Sequence, residues 1–154
     1  MNSLSISSPV GRLLIQEDRN AIVAIGWSEA SGGNGNPLLA EAARQLEAYF
    51  AGELSNFDLP LRPSGSDFEQ RVWAAMQDIP YGETRTYGDL AAATNSAARA
   101  VGGACGKNPI PIVIPCHRVL GKAWMGGYSG QGGLKTKQAL LELEGALSRE
   151  PTLV

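Results

Sequence analysis

Cysteine and histidine are the scarcest reactive residues in this 154-residue chain, which has two cysteines, Cys105 and Cys116, and one histidine, His117. The histidine directly follows a cysteine in the proline-punctuated run NPIPIVIPCHRVLG, residues 108–121. A thiol is a nucleophile only as the thiolate, so a base or a positive neighbour must activate it. Neighbouring side chains point to opposite faces of a strand and lie about 100° apart on a helix. Contact between Cys116 and His117 therefore needs a tight turn. The alternative is a bridging water through which His117 relays a proton, with a third group, most simply a carboxylate, orienting its ring. Adjacency counts against a cysteine protease, whose Cys and His come from distant segments. A plainer reading stays open, with Cys116 a small buried hydrophobe and His117 a satisfied core side chain.

The composition bounds what kind of chain holds this pair. Apolar residues make up 44% and charged residues 18%, which suits a packed core rather than disorder. No apolar run approaches the roughly 20 residues of a membrane span. The start, MNSLSISSPVGRL, lacks the basic and apolar stretches of a signal peptide. The expectation is a cytoplasmic protein with free thiols. One histidine and no CxxC leave too few ligands for a zinc site, so no metal is expected. Residues 1–63 hold four basic and seven acidic residues, a formal −3. Residues 85–137 hold seven basic residues against Asp89 alone, a formal +6. This asymmetry suggests a polyanionic partner, or a solvated surface whose acids lie elsewhere.

The elements that position the pair follow from pattern. A run to Ile6, a turn at residues 8–11, LLIQ, a polar EDRN turn and AIVAIGW predict a small antiparallel sheet. SGGNGNP (31–37) reads as a loop. Leu39, Ala42, Ala43, Leu46, Tyr49 and Phe50 fall at helical spacing, with Gly52 as the stop. LPLRPSGS (59–66) is the best domain boundary. Ser66 or Asp67 caps a second helix with Glu69 in its first turn, and Phe68, Val72, Trp73 and Met76 form its buried stripe. After the turn IPYGET, Thr86 caps YGDLAAATN. A break at Asn95-Ser96 leads into AARAVGGACG, the second half of a helix-turn-helix. NPIPIVIP is too proline-rich for a helix or central strand. The Gly-rich loop GGYSGQGG (126–133) precedes a last helix expected to face the core with Leu134, Ala139, Leu140, Leu143 and Leu147.

AARAVGGACG is unusual as a helix. Gly costs roughly 1 kcal/mol against Ala in a helix interior, yet Gly102 and Gly103 are adjacent, and apart from Arg99 and Val101 the side chains are small. Such a surface suits either close packing against another backbone or a narrow external partner. The DNA minor groove is only about 6 Å wide against about 12 Å for the major groove. A slim helix with one arginine near its start fits the narrower one, and that arginine could enter the base stack. The lack of long polar side chains argues for binding by phosphate and groove shape rather than by sequence.

With these pieces in place, the chain closely resembles the O6-alkylguanine-DNA alkyltransferases. The matching pieces are FEQRVWAAMQDIPYGETRTYGDLA, AARAVGGA, NPIPIVIPCHRV, the YSG…GGL loop and KQALLELEGA, in the family's order. SPVGRL and LEAYFAGEL match more loosely. The resemblance implies an α/β (α+β) fold. A small RNase H-like α/β domain would span residues 1–62, and a mainly helical, winged-helix, helix-turn-helix-like domain residues 66–148. It implies a monomer with no cofactor that binds double-stranded DNA through the minor groove. There it flips O6-alkylguanine out of the duplex and transfers the alkyl group irreversibly to its own cysteine; O4-alkylthymine is left open as a second substrate.

The resemblance also implies roles. Cys116 would be the acceptor, His117 the water-linked base and Glu144 the carboxylate that orients it. Asn108 would brace the turn that carries the cysteine. Arg99 would fill the gap left by the flipped base, and Tyr87 would rotate the 3′ phosphate. Tyr128 and Ser129 would line the alkylguanine pocket, and Trp124 stays undecided. Two departures from the family pattern bear on binding: the turn between the two short helices is about two residues shorter, and YSGQGGL carries two extra residues. The alternative reading is a non-catalytic alkyltransferase-like protein that binds lesions without repairing them, although such proteins replace the PCHR cysteine. A helix-turn-helix regulator and a thiol hydrolase fit less well, lacking base-reading side chains and an oxyanion loop respectively.

Overall fold

The structure, a computed structural model, describes residues 1–30, 33, 35–121, 128, 130 and 132–146. Three strands, β1 (Asn2–Ser8), β2 (Gly11–Asp18) and β3 (Ala21–Trp27), form an antiparallel sheet in sequence order. The polar turn is tighter than the sequence suggested. Glu17 and Asp18 stay in β2, and Arg19 and Asn20 alone make the reversal at φ 50° and 63°, the left-handed pair that matches strand twist in a two-residue hairpin. Helix α1 (Pro37–Phe50) packs on β1 and β2. Asn36 caps it through the Leu39 amide at 2.9 Å, proline opens it, and Gly52 follows it at φ 76°. Leu39, Ala42, Leu46 and Tyr49 are fully buried against the sheet residues Leu13, Ile15 and Ile22.

The chain then runs beside β3, where Ile22 and Arg62 bond through their backbones. Gly65 is required there, since a Cβ at this position would lie 2.4 Å from the Trp73 ring. Helix α2 (Asp67–Gln77) starts with a full capping box between Ser66 and Glu69, two amide donors satisfied reciprocally. A second capping box, Thr86 with Asp89, starts α3 (Tyr87–Ala93), directly after the two-residue strand β4 (Arg85–Thr86). Asn95 at φ 53° turns the chain into α4 (Ala98–Gly106). The Trp73 indole donates to the Ala104 carbonyl at 2.9 Å and ties α2 to α4. Residues 116–118 form a 3-10 turn, followed by β5 (Val119–Leu120), which pairs parallel with β4. Helix α5 (Leu134–Leu143) closes the described chain.

The buried face of α5 differs from expectation. Leu134 is 47% exposed and Ala139 is exposed, while Thr136, Lys137, Leu140 and Leu141 face inward. The helix follows Gly133 without a side-chain cap, and its inward face carries two polar residues, Thr136 and Lys137, beside two leucines. Leu147 lies outside the described residues. Among the described residues no helix is long and apolar enough to cross a membrane.

Candidate active site

Cys116, His117 and Arg118 occupy the 3-10 turn and are all buried. At 3.0 residues per turn, successive side chains diverge by about 120°, so the thiol and the imidazole leave the backbone in different directions. The lead-in fixes this turn. Asn108 donates to the Ile114 carbonyl at 2.9 Å and accepts from the Ile110 amide at 2.9 Å. Within that loop Ile112 sits at φ 74°, a position that costs a β-branched residue of order 1–3 kcal/mol. The Cys116 amide bonds to the Ile114 carbonyl at 2.8 Å. Burial of Ile110, Ile112 and Ile114 holds the loop against this strain.

The imidazole meets Glu144, which follows the last turn of α5. His117 Nε2 lies 2.7 Å from Glu144 Oε2, both side chains fully buried. Burial pushes the Glu144 carboxyl up, but hydrogen bonds from His117, Arg118 and Tyr49 and the charge of its surroundings prevail and hold it at about 2. The carboxylate is therefore ionised, which makes Nε2 the donor and leaves Nδ1 as the lone-pair nitrogen. Nδ1 is buried and has no hydrogen-bond partner among the described residues. Burial also pushes the histidine's pKa down, against the pull of Glu144. The resting ring is thus neutral, with its accepting nitrogen available.

Three further groups complete the cluster, and sequence reasoning assigned none of them a part. Arg118 binds Glu144 with Nε at 2.8 Å and a terminal nitrogen at 3.0 Å, and donates its other terminal nitrogen to the Ile79 carbonyl at 2.7 Å. Tyr49 donates its hydroxyl to Glu144 Oε2 at 2.6 Å from helix α1. Lys137 is fully buried, donates to the Val119 carbonyl at 2.6 Å and lies 5.8 Å from the Tyr87 ring centre. One signal for Lys137 was present in the sequence: residues 137, 140, 141 and 144 share one helical face, so this lysine stands in a core register. Tyr49 and Arg118 carried no such mark, because a tyrosine on an apolar stripe and an arginine after a histidine are ordinary.

The electrostatics favour a thiolate on demand rather than at rest. Burial pushes the Cys116 thiol up, while the Asn108 side chain and the Lys137 charge pull it down. Arg118 is matched by Glu144, and the Lys137 ammonium adds a positive charge that acts on both thiols. Cys105 is pushed up to about 12 by burial and stays a neutral packing residue in α4. Tyr128 is T-shaped on Trp27 at 6.3 Å, and its buried hydroxyl has no partner among the described residues. Burial and the Cys116 charge both push that hydroxyl's pKa upward. His117 and Glu144 therefore meet in a buried cluster, and the half-buried Asn108 braces the turn that carries Cys116, with Tyr128 within electrostatic reach of the thiol and Tyr87 against Lys137. Ser129 and Trp124 lie outside the described residues.

Arg99 stands apart, exposed on α4. The outer face of this helix corrects one of the two expectations for it. A Cβ at Gly102, Gly103 or Gly106 would meet nothing within 4 Å, so these three glycines do not serve close packing inside the fold, whereas Ala104 and Cys105 on the inner face are buried. The charge argument also changes. Two of the seven basic residues of segment 85–137, Arg118 and Lys137, are buried in the site. Arg85 and Lys107 pair with Glu83 at 3.2 Å and Glu69 at 3.7 Å.

Known proteins resemble this chain over most of its length. Two family descriptions match: 6-O-methylguanine DNA methyltransferase, ribonuclease-like domain, over residues 4–63, and 6-O-methylguanine DNA methyltransferase, DNA binding domain, over residues 67–146. A methylated-DNA–protein-cysteine methyltransferase of Methanosarcina acetivorans is 43% identical over 150 residues, which is 90% of this chain and 95% of its own. The protein of that name from Mycolicibacterium paratuberculosis is 54% identical over 123 residues, 77% of this chain and 70% of its own. A crystal structure of Mycobacterium tuberculosis OGT in complex with DNA superposes with a TM-score of 0.85 at 44% identity, covering 95% of this chain and 94% of that one.

Proposed function

Since the chain belongs to the 6-O-methylguanine DNA methyltransferase family, we propose that Cys116 is the acceptor of its DNA repair reaction and that His117, Glu144 and Asn108 are the residues that make it reactive. The protein repairs alkylated DNA by moving the alkyl group to a cysteine of its own. The observation that carries the assignment is the orientation of His117: its Nε2–H is spent on an ionised Glu144, and its Nδ1 is a buried acceptor without a partner among the described residues. In this reading a bridging water carries the Cys116 proton to Nδ1. The thiolate is then balanced by the Lys137 ammonium. Its sulfur attacks the O6-alkyl carbon, the S–C bond forms as the C–O bond breaks, and the electron pair goes to the guanine oxygen. The proton held by His117 ends on the guanine. The alkyl thioether has no leaving path, so each molecule acts once.

Delivery of the base follows from the same surface. A flipped nucleotide costs a few kcal/mol of stacking and pairing. Arg99, exposed near the start of α4, fills the gap, and Tyr87, at the first position of α3, bears on the 3′ phosphate. Tyr128 lines the pocket beside the thiol, with Ser129 next in the chain. The protein acts as a monomer on the minor groove, with a division into domains near residues 62–66. The open space over Gly102 and Gly103 supports this use of α4. Gly103→Ala is expected to stabilise the free protein by up to about 1 kcal/mol, the helix-propensity gain, while weakening duplex binding. Urea unfolding and a fluorescence anisotropy titration measure the two effects. Unchanged affinity would mean that DNA does not approach this face.

The test of the function is intact-mass spectrometry after incubation with excess duplex carrying one O6-methylguanine. One added methyl, about 14 Da by composition, on the peptide containing Cys116 is expected, and no second addition at longer times. Lesion-selective binding without any mass change would instead support a protein that binds lesions and does not repair them.

A further inference from the structure

We propose that Tyr49 is a positioning residue for alkyl transfer: through its hydroxyl the N-terminal domain reaches Glu144 and sets how strongly that carboxylate draws on His117. The proposal rests on the roles given above to Cys116, His117 and Glu144.

Glu144 Oε2 accepts from Tyr49 at 2.6 Å, from His117 Nε2 at 2.7 Å and from Arg118 at 3.0 Å. A carboxylate oxygen offers two lone-pair directions, so these donors compete for its charge. Arg118 and His117 come from the same turn as the cysteine. Tyr49 comes from 95 positions away, on the helix that covers the N-terminal sheet. Its ring is held independently of its hydroxyl, at 5.2 Å from Phe50, 5.3 Å from Phe57 and 6.3 Å from Tyr81. Burial and the neighbouring carboxylate push its pKa upward, so the hydroxyl stays a neutral donor throughout the range in which His117 titrates.

The consequence is chemical. Each donor to Oε2 stabilises the carboxylate and weakens its pull on the imidazolium that forms when His117 takes the thiol proton. With Tyr49 donating, His117 stays neutral to lower pH and remains able to accept. The other charged and titratable groups facing the ring and the carboxylate are Arg118, Lys137 from α5 and Tyr81 from the α2–β4 connection. A change at Tyr49 leaves all three in place.

Tyr49→Phe removes only the hydroxyl. Loss of one hydrogen bond of ordinary net strength corresponds to roughly half to one pH unit. The acid limb of the transfer rate against pH is expected to move up by that amount, with the alkaline plateau unchanged. On the acid side transfer then runs roughly three- to tenfold slower. Because His117 is the chain's one histidine, its ring resonances can be titrated by NMR without ambiguity, and they should show the same upward shift. Tyr81→Phe is the control: its hydroxyl meets the Leu143 carbonyl at 3.4 Å, not Glu144, and the limb should stay put. Single-turnover transfer from a duplex bearing O6-methylguanine supplies the rates. Lesion affinity and thermal unfolding are measured in parallel, and all assays are run below the unfolding midpoint of the variant. A rate lowered by one factor at every pH, with an unmoved histidine titration, would overturn the proposal and leave Tyr49 a strut. No change in either would overturn it as well. If the wild type transfers nothing, the functional reading fails first and takes the proposal with it.

Discussion

Cys116→Ser is expected to keep the fold and lose all transfer. The side chains differ little in size, and the site around residue 116 is tied by backbone bonds and by Asn108 rather than by sulfur. The stability change should stay below about 1 kcal/mol. The chemistry does not survive, because a hydroxyl is a far weaker nucleophile than a thiol and is far harder to ionise. The cluster offers one general base and one nearby ammonium, which is enough for a thiol raised by burial but not for an alcohol. The variant should still hold a lesion-bearing duplex, since Arg99, Tyr87 and the α4 face are untouched. Intact mass after long incubation and a gel-shift titration separate the two properties. A methyl gained by the serine variant would move the acceptor elsewhere. Cys105 is the other thiol, and burial keeps it protonated at neutral pH.

Glu144→Gln should damage both rate and stability. The amide cannot neutralise Arg118, which is buried with its guanidinium directed at both carboxylate oxygens. Breaking a buried ion pair from one side costs about 3–5 kcal/mol because the remaining charge is left uncompensated. The glutamine can also present its NH2 to His117 and favour the wrong tautomer, with the proton on Nδ1. General-base catalysis contributes about 10²–10⁴-fold, so single-turnover transfer should fall by at least about a hundredfold. The variant also changes the response to acid. Glu144 titrates near 4.5 in the unfolded chain and at about 2 in the fold. Its stabilisation is therefore complete above pH 4.5 and is lost as pH falls from there toward 2. His117, depressed below 6.5 by burial, adds a loss that begins as pH drops below 6.5, where the unfolded chain takes up a proton that the folded chain refuses. Urea midpoints measured from pH 7 to pH 3 should fall in both stages for the wild type. In Glu144→Gln the stage below pH 4.5 should shrink. An unchanged acid slope there would mean that the carboxylate is not held as described.

Local elements were largely open to sequence reading because their signals are local. The Ser66–Glu69 and Thr86–Asp89 boxes, the Gly52 stop and the stripe of α1 each lie within a few residues of the structure they specify. Where reading failed, the missing information was long-range. The α5 face was assigned from apolar residues, so Leu134 and Ala139 were turned inward, and Lys137, a core residue, was counted as surface charge. A lysine reaches a core only when distant groups receive its charge, and here the Val119 carbonyl accepts from it at 2.6 Å. Arg118 entered the same charge count, but as a residue more often structural than catalytic, and it does form a buried ion pair with Glu144.

By itself the sequence determined that the chain's one histidine directly follows a cysteine, and that the two could act together only through a tight turn or a bridging water. It also determined a helix too slim for ordinary groove reading, since residue type and spacing alone decide which side chains exist and how far apart they leave the backbone. Only the tertiary structure decided which way the glycine face points, which nitrogen of His117 is committed, and that Glu144 is shared with Arg118 and Tyr49. Those depend on desolvation and on hydrogen bonds between segments as far apart as residues 49 and 144, and neither is encoded in any local window of the chain.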